Sequence, residues 1–312
     1  MSISFQMLAP KSSLRPRLAC EIAPEGVIAA RLSDNDEAVM SFAALPPGIV
    51  KPGLGEANLT DPPRVVLGLR EALDGVAGRD KTLSLVIPDA AVRVLMMDFD
   101  TLPAKVQEAL PIVRFRLKKL APFEVDDAAV SYQIMKQGQS GNQSQTRVLA
   151  TVMPAAIRDE YESAIRSAGY EPGVILPSTL ASLATLASDE ASLVINRNGL
   201  SLTTAITQGN ELLLHRTLEL PASDELHHEE LAKTVSVAMA YFEDTLQTRP
   251  RVLNYVGPGG AQEFARVLQH APGHVLNEYG LQVRDLVVGP GKGSLTAMPQ
   301  GLAAGVVGAL AS

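Results

Sequence analysis

The segment Gly257-Pro258-Gly259-Gly260 is the strongest ligand signal in the sequence, standing between an apolar run, Val252 to Val256, and a helical pattern, Ala261 to Gln269. Glycines at such a junction let backbone N–H groups approach a phosphate or a purine, and the start of the helix adds positive potential. A tight strand-to-helix turn with no ligand uses the same residues, so both readings stay open. His227-His228-Glu229-Glu230 gathers metal-binding residue types. Adjacent helical residues point in different directions, however, and no third ligand stands at useful spacing. An N-cap at Ser223 or Asp224 with acidic residues in the first turn accounts for that segment better, and no metal site is read from it. His215, His270 and His274 have no partner pattern. Asp98 and Asp100 would share one face of a strand end, as a paired-carboxylate site requires, but a solvated turn before Leu102-Pro103 explains them more simply. No Gly-x-Ser-x-Gly elbow, Walker-type lysine loop or Gly-x-Gly-x-x-Gly fingerprint occurs. No catalytic residue is assigned.

The elements around these residues alternate in type. Leu18 to Ile22 and Val27 to Leu32 read as strands about a turn at Pro24-Glu25-Gly26. Residues 45–63 hold five prolines and three glycines, a density that predicts a loop. Val65 to Val76 restores helical spacing, and Thr82 to Ile87 is a buried strand stopped by Pro88. Over Ala104 to Leu120 the residues Val106, Leu110, Val113, Leu117 and Leu120 form one helical stripe, with Arg114, Arg116, Lys118 and Lys119 crowding its C-terminal half. Val130 to Met135 and Arg147 to Met153 predict paired strands around a polar, insertion-like tip at Gly138 to Gln145. A helix from Ala155 to Ala168 ends at Gly169, which suits a left-handed cap. Three strands follow, Ser192 to Asn196, Ser201 to Thr207 and Glu211 to Leu218, then a helix over His228 to Leu246 and the strand at Val252 to Val256. A small-residue helix, Leu302 to Leu310, closes the chain. Strands, then helix, strand, helix, twice over, predict a duplicated α/β architecture.

Composition narrows the function class. The chain has 312 residues, which favours two domains, and 46% hydrophobic residues are enough for a sizeable core. A formal charge of -7 argues against a generally nucleic-acid-binding surface. The single cysteine, Cys20, excludes an intrachain disulfide and a cysteine-based zinc site. The longest glycine and aliphatic stretch, Gly301 to Leu310, falls short of the roughly 20 residues a membrane span needs. The N-terminus has no charged-then-apolar leader pattern. These features predict a soluble, cytoplasmic protein.

Taken as an ordered series, several segments resemble the PilM-like type IV pilus assembly proteins, actin-like relatives of the cell-division protein FtsA. The match is carried by Leu85-Val86-Ile87-Pro88-Asp89-Ala90-Ala91-Val92, by Leu102-Pro103 opening the long helix, and by Ala121-Pro122-Phe123 after it. It continues through Tyr161 to Gly169 with Tyr170-Glu171-Pro172, and through Pro177 to Leu186, which resembles the helix linking two actin-like domains. Gly257 to Gly260 stands where that superfamily has its adenosine-motif glycines, and Gln300 to Gly305 resembles its closing helix. The resemblance implies an α/β, actin-like (ribonuclease H-like) two-domain fold. Residues 1–16 would be a flexible N-terminus, 17–188 the first domain with an inserted subdomain at about 93–168, and 189–312 a truncated second domain.

Departures from the family pattern set the functional expectation. The first phosphate hairpin of the superfamily carries Asp-x-Gly, whereas this chain reads Glu21-Ile22-Ala23-Pro24-Glu25-Gly26. Pro24 donates no N–H, and Glu25 would bring negative charge toward a triphosphate. The second hairpin reads Asn196-Arg197-Asn198-Gly199, keeping the turn at Gly199 but losing the carboxylate at Asn196. Only Pro221 to Glu230 remains where the family inserts a nucleotide-covering subdomain. The vestigial nucleotide positions are therefore Glu21, Gly26, Asn196, Gly199, Gly257, Gly259 and Gly260, with no cofactor expected. The resemblance implies an adaptor at the inner membrane that binds the cytoplasmic N-terminal tail of a PilN-like protein in a groove of the first domain and its insert. A basic row, Arg114, Arg116 and Lys119, would meet an acidic tail or the pilus assembly ATPase. The alternatives are an ATP- and magnesium-dependent ATPase or small-molecule kinase, and the cytoplasmic domain of a GspL-like type II secretion component. The latter normally continues into a membrane span, and this sequence contains none.

Overall fold

The computed structural model describes residues 16–33, 37–76, 78–140, 143–186, 188–221, 223–287 and 298–311. The expected flexible N-terminus lies outside them apart from Pro16. The chain enters as a meander of β1 (Leu18–Ala23), β2 (Gly26–Leu32) and β3 (Ala38–Ala44). At the β1–β2 turn, Ala23 faces Gly26, and a Cβ on Gly26 would lie 2.5 Å from the Ala43 carbonyl oxygen. This glycine is there so that β3 can approach. The loop expected over 45–63 differs at its end, where Pro62 and Pro63 open α1 (Pro62–Gly75). Asp61 caps that helix by accepting from the Arg64 N–H at 3.2 Å. Proline suits the first turn because its missing N–H would be unpaired there anyway. Val65, Leu69 and Leu73 of α1 pack into the same apolar cluster as Cys20 and Ile22 of β1. β4 (Thr82–Ile87) then lies parallel to β1.

Between β4 and the next strand of that sheet stand β5 (Arg93–Phe99), α2 (Val106–Leu117), β6 (Ala129–Ser140) and β7 (Gln143–Met153), whose strands form a separate sheet ordered β5-β7-β6. Val113 and Leu117 of α2 pack with Val148 and Val152 of that sheet. The predicted stripe is only half used: Val106, at the first helical position, is 62% exposed and Leu120, past the helix end, 49%. The polar tip is also shorter than expected, because β6 and β7 stay paired out to Ser140 and Gln143; residues 141 and 142 lie outside the described set. α3 (Ala155–Ser167) brings Ile157, Tyr161 and Ile165 back to the first core, and Gly169 follows with φ 94°. β8 (Glu171–Pro177) adds parallel to β4, and the wholly buried α4 (Ser178–Leu183) leaves it.

The second half repeats the plan with β9 (Ala191–Asn198), β10 (Ser201–Gln208), β11 (Glu211–Glu219), α5 (Asp224–Tyr241), β12 (Val252–Val256), α6 (Gly260–His270), α7 (Val275–Tyr279), β13 (Gln282–Asp285) and α8 (Ala304–Ala311). The sheets are ordered β3-β2-β1-β4-β8 and β11-β10-β9-β12-β13. Each is an antiparallel three-strand meander extended by two parallel strands. The duplicated architecture read from the sequence is thus present strand for strand. From β11 the chain passes directly from Glu219 into α5 at Asp224, with no room for a covering subdomain. α8 crosses back to the first half, where Val306 and Ala309 pack with Ala19 and Ala181. A Cβ on Gly308 would sit 1.9 Å from the Ala181 carbonyl oxygen, so α8 meets α4 backbone to backbone.

Candidate functional site

The two hairpin turns expected to hold phosphates face one another. A Cβ on Gly199 would lie 3.2 Å from Pro24 Cγ, so the turns touch where a phosphate group would need backbone donors. Behind them a buried polar chain joins the two halves. Glu21 on β1 is 4% exposed, and its Oε1 accepts from Ser178 Oγ at 2.7 Å. Asn196 on β9 donates through Nδ2 to Ser178 Oγ and Thr179 Oγ1, each at 3.0 Å, and more weakly to Asp89 at 3.4 Å. Asp89 stands in the short 3₁₀ turn Asp89–Ala91 after β4 and accepts the Thr179 N–H at 3.2 Å as well as the Thr179 hydroxyl. Thr203 on β10 also donates to Asp89 and approaches Thr217 at 2.9 Å. The first turn of α4, Ser178 and Thr179, therefore connects one carboxyl of the first half to the next and both to the second half.

Electrostatics follow from burial. The Glu21 carboxyl is pushed up to about 8, first by desolvation, with the Ser178 hydrogen bond opposing and the nearby Asp89 and Glu25 adding to the rise. Asp89 rises to about 6, again first from desolvation, against four donors that favour its charge. Glu25 is also raised by burial, offset by backbone N–H groups of Glu25 and Gly199 and by Arg197. Gly305 of α8 makes the space for Glu21: a Cβ there would fall 2.2 Å from Glu21 Oε2. Asn196 Oδ1 has no hydrogen-bond partner among the described residues.

The glycine segment after β12 is engaged as tightly. Gly257 N–H donates to the Gly301 carbonyl at 2.9 Å, and a Cβ on Gly301 would lie 2.1 Å from the Gly257 oxygen. Gly259 and Gly260 take φ of 78° and 67°, the left-handed region that glycine tolerates. At the start of α6 the Ala261 N–H donates to Asp285 Oδ1 at 2.7 Å, so the chain's own carboxylate occupies the anion position. A nucleoside triphosphate with magnesium does not fit these residues. Pro24 and the carboxylates of Glu25 and Asp285 stand at these turns, and the Glu21 carboxyl is turned to Ser178.

The basic row is interrupted. Arg114 is half-buried, with Nη1 donating to the carbonyls of Val125, Asp126 and Ala128, the last two at 3.0 Å. Arg116 and Lys119 are exposed, and Lys119 Nζ lies 5.2 Å from the Phe115 ring centre. Two cavities stand out, the first at the seam between the halves and the second within the first half. One, of about 890 Å³, is bounded by Pro24, Lys51, Arg93, Phe123 and Ser201. The other, of about 220 Å³, is a groove between β8 and the β6–β7 sheet, lined by Val174, Ile175, Ser131, Thr151 and Met153 with Arg158 beside them.

Comparison with solved structures gives a TM-score of 0.72 to the PilM-PilN type IV pilus biogenesis complex, at 17% identity over 95% of this chain and 98% of that one. The chain has the actin-like fold of PilM. A Bacteroides thetaiotaomicron protein with an actin-like ATPase fold and unknown function aligns at TM-score 0.50 and 11% identity, covering 86% of this chain and 89% of that one. The cytoplasmic domain of EpsL, an inner membrane component of the type II secretion system of Vibrio cholerae, aligns at 0.49 and 11% identity over 94% and 92% of the two chains, too weakly to bear on function. No protein-family model matches the sequence, and no curated protein matches it. Within the PilM-like fold, Glu21, Asn196 and Gly199 border the seam between the halves, whereas Gly26 serves the approach of β3 and Gly257, Gly259 and Gly260 pack against Gly301, Glu263 and Asp285 of their own half. Asp89, Ser178 and Thr179 escaped the sequence reading. The available signal was an acidic residue directly after a buried strand, Ile87-Pro88-Asp89, at the carboxyl end where α/β sites gather.

Proposed function

We propose that this chain is an actin-like scaffold of a type IV pilus or related inner-membrane assembly platform, seating the cytoplasmic tail of a PilN-like protein without hydrolysing ATP. The observation that carries the reading is the groove between β8 and the β6–β7 sheet. Val174, Ile175 and Met153 give it an apolar lining, and Ser131 and Thr151 add hydroxyls. At about 220 Å³ it admits a few side chains of an extended segment and not a folded domain. β8 and β6 are both edge strands, so backbone donors and acceptors stand beside it for such a segment to pair with. A solved structure of similar fold is the PilM-PilN complex, which supports a PilN-like occupant. The filled phosphate positions support a scaffold that works without ATP. No helix among the described residues is long and apolar enough to cross a membrane, and in this reading the partner supplies the attachment. The exposed Arg116 and Lys119 remain available to an acidic surface such as that of the pilus assembly ATPase.

Calorimetric titration tests this with two ligands, a peptide covering the N-terminal cytoplasmic tail of a PilN protein from the same organism, and Mg-ATP. Saturable heat with the peptide and none with Mg-ATP is the expected result. Ser131→Trp, which fills the groove from β6, is expected to abolish the peptide signal. Micromolar Mg-ATP binding, or a folded chain that ignores the peptide, would overturn the reading.

A further inference from the structure

The larger cavity is separate from both the glycine segment after β12 and the peptide groove, and it takes in the two facing hairpin turns at Pro24 and Gly199. Its other walls are the Gly- and Pro-rich loop after β3, the insert at Arg93 and Phe123, and the second half at Leu200 and Ser201. Its volume of about 890 Å³ falls in the range of small-ligand sites, about 300–1,000 Å³. Leu54, Phe123 and Leu200 give it apolar walls. Two cations line it, Lys51 and Arg93, and neither has an ion-pair partner among the described residues. In a chain of formal charge -7, two unpaired cations on one cavity are a local reversal of sign. Ser201 borders the cavity, but its Oγ is sealed from solvent and does not face it.

We propose that this cavity binds a small organic monoanion with an apolar body, its charge set between Arg93 and Lys51 and its body against Phe123, Leu54 and Leu200. The lining also contains the Glu219 carboxylate, which leaves a local balance suited to one negative charge and unsuited to a triphosphate. The site needs no nucleotide and no peptide in the β8 groove, so it stands or falls apart from the scaffold reading.

The probe is anilinonaphthalene sulfonate, an aromatic monoanion whose fluorescence rises in apolar surroundings, titrated into the full chain. Saturable binding at one site per chain is expected. Lys51→Glu and Arg93→Glu should each weaken it by about tenfold or more, since each places a carboxylate beside the sulfonate. Lys51 is exposed, so its reversal leaves the fold intact and keeps the test valid even if Arg93→Glu misfolds. The groove variant Ser131→Trp should leave it unchanged. Non-saturating fluorescence, insensitivity to the Lys51 reversal, or displacement of the dye by equimolar Mg-ATP would overturn the proposal.

Discussion

Replacing Glu21 by glutamine should make this protein more stable, and increasingly so as pH rises. Glu21 is buried, accepts one hydrogen bond from Ser178, and has its carboxyl raised from 4.5 to about 8. A folded-state value above the unfolded one means that the native state holds a proton the unfolded chain releases. That contribution is fully present below about pH 4.5 and is lost as pH climbs toward about 8. At neutral pH the loss spans roughly 2.5 units at about 1.4 kcal/mol each, or about 3 kcal/mol. Glutamine keeps the shape and neutrality of the protonated acid, can still accept from Ser178, and has nothing to ionise in the unfolded chain. Glu21→Gln should therefore match the wild type near pH 4.5, exceed it by about 3 kcal/mol near pH 7, and exceed it by about 5 kcal/mol near pH 9. Urea unfolding of both proteins across that range measures the difference directly, and subtraction cancels most of what the other titrating groups contribute. A gap that does not change with pH, or a glutamine variant less stable than wild type at alkaline pH, would show that Glu21 is charged in the folded state and that the seam holds a counterion.

Two further substitutions probe the same packing. Gly305→Ala puts a methyl group 2.2 Å from Glu21 Oε2 and should cost about 1–3 kcal/mol; in a double-mutant cycle with Glu21→Ala most of that cost should vanish, and thermal unfolding of the four proteins reads it. Arg114→Ala leaves the carbonyls of Val125, Asp126 and Ala128 without their donor and should destabilise the insert by about 1–3 kcal/mol. If Arg114 instead acts with Arg116 and Lys119 toward an acidic partner, its loss would weaken partner binding while thermal unfolding stayed unchanged.

The sequence made local pattern legible and distant partnership invisible. β4 and β12 begin and end at the expected residues, because a β-branched or aliphatic run closed by Pro88 or Gly257 carries its own boundaries. The duplication was visible for the same reason, each half repeating a run of short strands before its helices. At the N-terminus of α1 composition misled: Pro62 and Pro63 read as loop when counted, but as a helix start once Asp61 is seen to cap. The α2 stripe was periodic, yet a helix overhanging a three-stranded sheet exposes its ends, and no spacing within the helix reports how wide its partner is. The polar chain was least legible. Asp89 meets Thr179 across 90 positions and Glu21 meets Ser178 across 157, and Ser and Thr at a helix start look like ordinary caps until the fold brings the carboxyls to them. Arg114 shows the converse, a surface-like charge in sequence whose guanidinium is spent on three carbonyls.

Under the proposed function, the closed seam bears on how the assembly is timed. Actin-like proteins that open and close around an exchangeable ligand carry a clock, since turnover of that ligand limits how long each state lasts. A chain whose halves are joined by side chains and protons, with Pro24 against Gly199 and α8 against α4, has no such cycle to run if the seam stays shut in solution. Occupancy of its groove would then follow mass action alone. Two-dimensional confinement of a membrane-anchored partner raises the local concentration its tail presents, and tethering of this kind commonly reaches about the millimolar range. In that reading, order of assembly would be set by how many partner tails a patch of membrane holds, and dissolving the patch would release the chain without any chemical step.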